Sequence, residues 1–211
     1  MLLFRLDMLM VKGLRGAELA GVYGAAVRVS ETLYFMPMLL ASLMLARLTA
    51  ARQTSAESYD KGMVQYLSAT WLMGLGGAVV LALSAGLITK LLWGARFIGS
   101  AEILIVHAWA FIPYALGVAR TQHLTIEGRL WANVPSVLIA LGVNAGLNWL
   151  WIPQYGGLGA AWATLLSYTL AWFLTSHLMP ALRDSGHLQL RGLRHLLSMP
   201  GKLLQQWIQP A

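Results

Sequence analysis

The chain has 211 residues, of which 58% are hydrophobic and only 11% charged, and its mean hydropathy is +0.63. So little charge excludes a water-soluble globular domain as the first reading and points to an all-α integral membrane protein. The absence of cysteine excludes disulfides, thiolate chemistry and Cys-based metal sites. The net charge of +7 would suggest nucleic acid in a soluble protein. Here it has a simpler source, Lys and Arg gathered in the loops on one side of a membrane, so no nucleic-acid partner is expected.

Taken in chain order, residues 1–11 are apolar but too short to cross a bilayer, and they read as a helix whose beginning is missing. Arg5 and Asp7 interrupt this run, no small-residue cleavage site follows, and no secretory signal is expected. A turn at "KGLRGAE" leads to a second helix over 19–46, which holds "GVYGAAVRVSETLYFMP" and has Pro37 well inside. The polar stretch "RLTAARQTSAESYDKG" reads as a solvent loop, and 62–89, free of Asp, Glu, Lys and Arg, as a third helix.

After "KLLWGARFIGS" a fourth helix is expected over 102–122, followed by the short "TIEGR" loop. The uncharged run 130–182 must be divided, because a single helix of that length would extend about 80 Å at 1.5 Å per residue. The break falls at "IPQYGG", where Pro153 disfavours helix and Gly156 with Gly157 permits a tight reversal. Helices five and six therefore occupy 132–152 and 158–179. Six transmembrane helices, the first truncated, are thus expected over 1–182, with a basic amphipathic tail over 183–211.

Basic residues in alternate loops set the orientation. Arg47, Arg52, Lys61, Arg120, Arg129, Arg183, Arg191, Arg194 and Lys202 fall on one side, and Lys12, Arg15, Lys90 and Arg96 on the other. The richer side is cytoplasmic, so the tail is expected in the cytoplasm and the "IPQYGG" turn outside. Trp93, Trp131, Trp149 and Trp151 fall near helix ends, as an interfacial aromatic belt would place them. Leu190, Leu193 and Leu197 recur at helical spacing while Arg191, Arg194 and His195 take other faces, which reads as a helix lying on the membrane surface.

Arg28 and Glu31 are three apart and share a helix face. A charge near a span's centre costs about 2.5–3.5 kcal/mol on an insertion scale, against about 0.3–0.6 recovered per Leu, Ile, Phe or Val. This face is therefore expected to meet a polar interior rather than lipid, either as a substrate or ion path or as an ion pair holding helices together. Arg5 and Asp7 pose the same question, and Asp7 is a candidate partner for Arg28. Asn144 and Asn148, four apart on helix five, are candidates for the same interior or for interhelical hydrogen bonds. Gly142 and Gly146 form a GxxxG that reads as a packing surface. His107 is either a proton relay or a neutral, hydrogen-bonded ring. Neither HExxH nor a GxxxxGK phosphate loop occurs, and no enzyme and no cofactor are expected.

Three stretches together resemble the Wzx-type oligosaccharide flippases, the polysaccharide-biosynthesis branch of the MOP transporter superfamily. They are "FRLDMLMVKGLRGAELAGVYGAAVRVSETLYFMP", "LLWGARFIGSAEILIVHAW" and "NAGLNWLWIPQYGGLGAAWATLLSY". The resemblance implies two six-helix lobes enclosing a central cavity, with this chain as the second lobe and a missing N-terminal lobe or partner chain completing it. It implies a multi-pass protein of the bacterial inner membrane that moves undecaprenyl-pyrophosphate-linked oligosaccharide outward by alternating access. Arg28 would then hold the phosphates, and Glu31 or Asp7 would steady Arg28 or bind a coupling proton or sodium ion. Arg5, Asn144 and Asn148 are further cavity candidates. A MATE-like exporter of small molecules, which would want an acidic cavity, and a non-transporting membrane fragment are the alternatives.

Overall fold

The computed structural model describes residues 2–94, 97 and 99–198, with side chains from Leu6 onward. The side chains of Arg5, Arg96 and Lys202 lie outside the described residues. Among the described residues eight α-helices follow one another: α1 (Leu2–Glu31), α2 (Phe35–Thr54), α3 (Ala56–Trp93), α4 (Gly99–Ala108), α5 (Phe111–Ile126), α6 (Asn133–Thr169), α7 (Thr175–Leu178) and α8 (Arg183–Ser198). Short 3-10 turns and one π-turn (Leu170–Leu174) connect them, and no strand occurs among the described residues. Among the described residues, four helical stretches are long and apolar enough to cross a membrane: Leu6–Thr54, Ala56–Trp93, Gly99–Ile126 and Leu130–Leu178. Their outer surface is apolar too, with Leu83 84% exposed among many bare leucines, as lipid-facing helices require.

Two of these stretches fold back on themselves. In α1, Gly16 takes φ 87° and ψ 173°, a backbone only glycine adopts without strain. In α6, Gly156 does the same with φ 57° and ψ −133°. Side-chain contacts give the size of each bend. The Tyr23 hydroxyl lies 3.2 Å from Asp7 Oδ2, although 16 residues of straight helix would separate them by about 24 Å. A Cβ on Gly159 would lie 2.6 Å from the Trp151 carbonyl oxygen, eight residues back, where a straight helix would put about 12 Å. Both are therefore antiparallel hairpins. Their corners adjoin: Arg15 Nη1 donates to the Pro153 carbonyl at 2.8 Å, and Leu19 packs 2.8 Å from where a Cβ on Gly156 would sit.

The hairpins pack together and against α3 and α4 through a core that includes Val11, Tyr23, Ala26, Leu81, Ala85, Leu104, Ile152 and Ala160. Alanines at these contacts let helices approach closely, which is how apolar helices gain packing energy where burial from water contributes little. A second core joins α2, α3, α5 and α8 through Leu48, Met63, Tyr66, Leu67, Leu116 and Leu188.

Several expectations need correction. The stretch expected as a solvent loop after residue 46 is helical except at Ser55, an extended corner whose side chain caps α3 by accepting from the Ser58 N–H at 3.0 Å. Its Ala, Arg, Gln and Glu are good helix formers, and polarity alone did not distinguish a helix end in water from a loop. The fourth helix breaks at Trp109 and Ala110, between α4 and α5. Gly142 and Gly146 are not an internal packing surface: both are exposed, and a Cβ at either would meet nothing within 4 Å. Arg120, counted above as a loop cation, is 1% exposed inside the bundle.

The tail helix α8 docks on the protein, with Ser185, Gly186, Leu188, Gln189 and Gly192 buried. Small residues allow this: a Cβ on Gly192 would lie 2.6 Å from Leu67 Cβ, and one on Gly186 would overlap the Ser176 carbonyl. Ser68 Oγ donates to the Gly192 carbonyl at 2.9 Å, Trp71 Nε1 to the Gln189 carbonyl at 2.9 Å, and Arg191 forms a two-pronged pair with Asp60 at 2.5 Å. Leu197 remains 77% exposed on a flank of the helix. The remainder of the expected tail, 199–211, lies outside the described residues.

Candidate functional site

The two hairpins bring Asp7, Tyr23, Asn144, Asn148 and Thr164 to one buried point. Asp7 is 4% exposed and accepts from Asn148 Nδ2 at 2.6 Å, Thr164 Oγ1 at 2.6 Å and Tyr23 Oη at 3.2 Å. Asn148 Nδ2 also donates to Asn144 Oδ1 at 3.0 Å, the contact that their spacing of four allows. Each hairpin supplies residues from both of its arms, so the glycine corners are what assemble the cluster. Asn144 Nδ2 and Asn148 Oδ1 are buried without a hydrogen-bond partner.

The electrostatics of this cluster are unusual. Its described donors to Asp7 are all neutral, so they share the carboxylate's charge without cancelling it, and an uncompensated charge at this depth is costly. No group of three or more His, Asp or Glu side chains converges among the described residues. A cation here would be held by one carboxylate together with amide and hydroxyl oxygens, the donor set that hard cations take.

Asp7 therefore has partners other than Arg28, against the pairing considered from the sequence. Arg28 is exposed and lines a cavity of about 210 Å³ with Gly21, Gly24, Trp93 and Phe97. No acidic residue is among the described residues that line this cavity. Glu31, half-buried, ends α1.

His107 is 3% exposed, and its Nδ1 lies 2.8 Å from Ser30 Oγ. The Ser30 hydroxyl also lies 2.9 Å from the Val27 carbonyl, so its one proton serves either that carbonyl or the histidine nitrogen, and the His107 tautomer sets which. Tyr23 stands edge-on to the His107 ring with centroids 6.5 Å apart, linking the histidine to the Asp7 cluster by contact rather than by a hydrogen bond.

Charge patterns and spacing left several polar residues unnoticed. Tyr23 and Thr164 are uncharged residues in apolar helices, although both stand in the stretches that carry the flippase resemblance. Arg120 donates from Nη1 to Thr175 Oγ1 at 3.0 Å and Ser176 Oγ at 2.9 Å, and its guanidinium lies 4.9 Å from the Trp172 ring centroid. Near the chain's tail, Tyr59 Oη lies 2.8 Å from His123 Nδ1, and His123 Nε2 lies 3.3 Å from Asp184 Oδ2. A carboxylate only accepts, so Nε2 donates to Asp184, and in the neutral ring Nδ1 accepts from the Tyr59 hydroxyl. Asp184 also accepts from Arg129 and from the Ser185 N–H. Burial pushes its carboxyl up, but the Ser185 N–H, His123 and Arg129 outweigh this and hold it below the usual range.

No family model, curated protein or solved structure matches the chain.

Proposed function

We propose that the chain is one lobe of a transporter that moves a pyrophosphate-linked oligosaccharide across the bacterial inner membrane by alternating access. In this reading the two hairpins count as two spans each, making six, and the lobe is completed by a second one. The tail is cytoplasmic. The observation that carries the proposal is Asp7, a buried carboxylate set among neutral oxygen and nitrogen donors from the three other arms of the two hairpins. Binding a proton or sodium ion there relieves the charge, and the unmatched Asn148 Oδ1 offers that ion a further oxygen. Because the ligands come from both hairpins, occupancy changes how tightly the hairpins hold together, which is the coupling that alternating access needs.

Arg28 supports the cargo assignment. An exposed guanidinium part-way along a spanning helix is stable where water or a second lobe covers it, and its planar fork suits paired hydrogen bonds to phosphate oxygens. Among the described residues the cavity beside it has no acidic lining of the kind a cationic drug would require, which favours an anionic cargo over a MATE-like one.

The test is export of surface glycan in a flippase-null strain carrying the chain with its completing lobe. Arg28→Ala is expected to abolish export, with Arg28→Lys restoring part of it. Normal export by Arg28→Ala at normal protein level would remove the phosphate role.

A further inference from the structure

The outward face of α8 differs in chemistry from the face that docks. Arg183, His187 and Arg194 are exposed, and their helical spacing aligns them along one stripe. Arg194 stands one turn from Leu190 and one turn from Leu197, so the basic stripe shares an edge with the leucines. Leu197 on that edge is 77% exposed.

The carboxylates around this face are already engaged. Asp60 pairs with Arg191, Asp184 with Arg129, Glu127 with Arg52 and Glu57 with Lys61. No carboxylate among the described residues lies within ion-pair distance of Arg183 or Arg194. The stripe therefore presents positive charge that the described protein leaves uncompensated.

The depth of the stripe follows from what α8 rests on. The helix begins at Arg183, shortly after Leu178, which ends an apolar spanning stretch and is itself 68% exposed. It then crosses α3 at Leu67, Ser68 and Trp71. Those residues lie inside the run 62–89 that carries no Asp, Glu, Lys or Arg. A helix held against that part of α3 sits at the level of lipid headgroups rather than out in water.

We infer that the outer face of α8 is a docking surface for anionic phospholipid. Arg183 and Arg194 hold headgroup phosphates, and Leu190 and Leu197 enter the acyl boundary beside them. A guanidinium fork pairs with phosphate oxygens, and a leucine on the same edge gains by leaving water. A zwitterionic headgroup brings its own ammonium to the phosphate, so lipids of net negative charge are preferred. An acidic protein segment would also meet the arginines, but headgroup depth and the bare Leu197 favour lipid. Neither Arg28 nor Asp7 takes part, so the inference stands apart from the transport reading.

The experiment is electron spin resonance of the full chain in phosphatidylcholine vesicles carrying spin-labelled phosphatidylglycerol or phosphatidylcholine, which reads the lipid held at the protein surface. Phosphatidylglycerol is expected to be preferred by about fivefold. The preference should fall to near parity in salt of about 0.5 M and in the double variant Arg183→Gln, Arg194→Gln. Arg183→Lys with Arg194→Lys should keep most of it. These changes lie on the exposed face, so the docked face of α8 is untouched. A fluorophore on Leu197→Cys is expected to be quenched by brominated lipid more than by aqueous iodide. Absence of the preference overturns the surface, as does its survival in the double glutamine variant. An equal loss from Arg47→Gln alone, or from Arg28→Ala alone, would place the lipid elsewhere and overturn it too. Quenching of the Leu197→Cys label by iodide alone would put the stripe in water, open to an acidic protein instead.

Discussion

Asn148 donates to Asp7 across 2.6 Å although 141 positions separate them in the chain. The contact exists because each residue belongs to a hairpin, and the two hairpins lie side by side with their glycine corners together. Removing the donor while keeping the carboxylate should leave Asp7 short of its amide partner. Asn148→Leu is therefore expected to destabilise the protein by about 1–3 kcal/mol, measured by thermal unfolding in detergent. Asp7→Asn should fold, yet lose any sodium- or proton-dependent rise in melting temperature that the unsubstituted protein shows, since a ligand stabilises only the state that binds it.

Glycines at the corners and glycines on the outer surface should respond in opposite directions. Gly156→Ala meets a left-handed backbone and the Leu19 side chain 2.8 Å away, and should cost about 1 kcal/mol or more. Gly142→Ala, on an exposed helical face with nothing within 4 Å, should be neutral or raise stability by about 0.5–1 kcal/mol. Equal losses at the two positions would mean that the outer face of α6 is packed after all.

Docking of α8 should depend on acid. The carboxyl of Asp184 is held below its usual range in the folded protein, so its stabilising contribution is present above the unfolded value of about 3.9 and disappears as pH falls through the lower folded one. Protease cleavage of α8 should be unchanged between neutral pH and about 5, then rise below about 4. Gly192→Leu, which forces a side chain into Leu67, should expose α8 at every pH.

Arg120 presents a different balance. Its Nε and Nη2 are buried without partners, and Thr175 and Ser176 already donate to the carbonyls of Ala171 and Trp172. Replacing a buried, poorly compensated charge by an apolar side chain of similar length is often neutral or stabilising. Arg120→Met is thus expected to keep or raise the melting temperature. A large loss would show that the guanidinium is paired in the membrane-embedded protein.

The hairpin at "IPQYGG" was legible because a proline and two glycines interrupt an otherwise uncharged run, and Asn144 and Asn148 because a spacing of four places them on one face. Tyr23 and Thr164 were not legible as site residues. Neither charge nor periodicity marks an uncharged polar residue in an apolar helix, and their meeting with Asp7 depends on how two hairpins dock. Arg120 was misplaced for a related reason: a cation near the end of an apolar stretch resembles a loop residue until Thr175, Ser176 and Trp172 arrive from another helix to enclose it. For α8, leucine spacing showed an amphipathic helix but not its docking face, because close approach through Gly186 and Gly192 leaves no mark in hydropathy.

The placement of Arg28 in a wet, shared cavity is the claim on which the anionic cargo of the transport reading depends, and the lack of native cysteine makes it directly measurable. Arg28→Cys and Leu43→Cys, the second at a residue 69% exposed on the apolar surface, would be challenged in cells with a membrane-impermeant thiol reagent and a lipid-soluble maleimide. Because only a hydrated thiol ionises to the reactive thiolate, Arg28→Cys is expected to react with both reagents, and Leu43→Cys with neither at an appreciable rate. Equal lack of reaction at both positions would contradict the cavity.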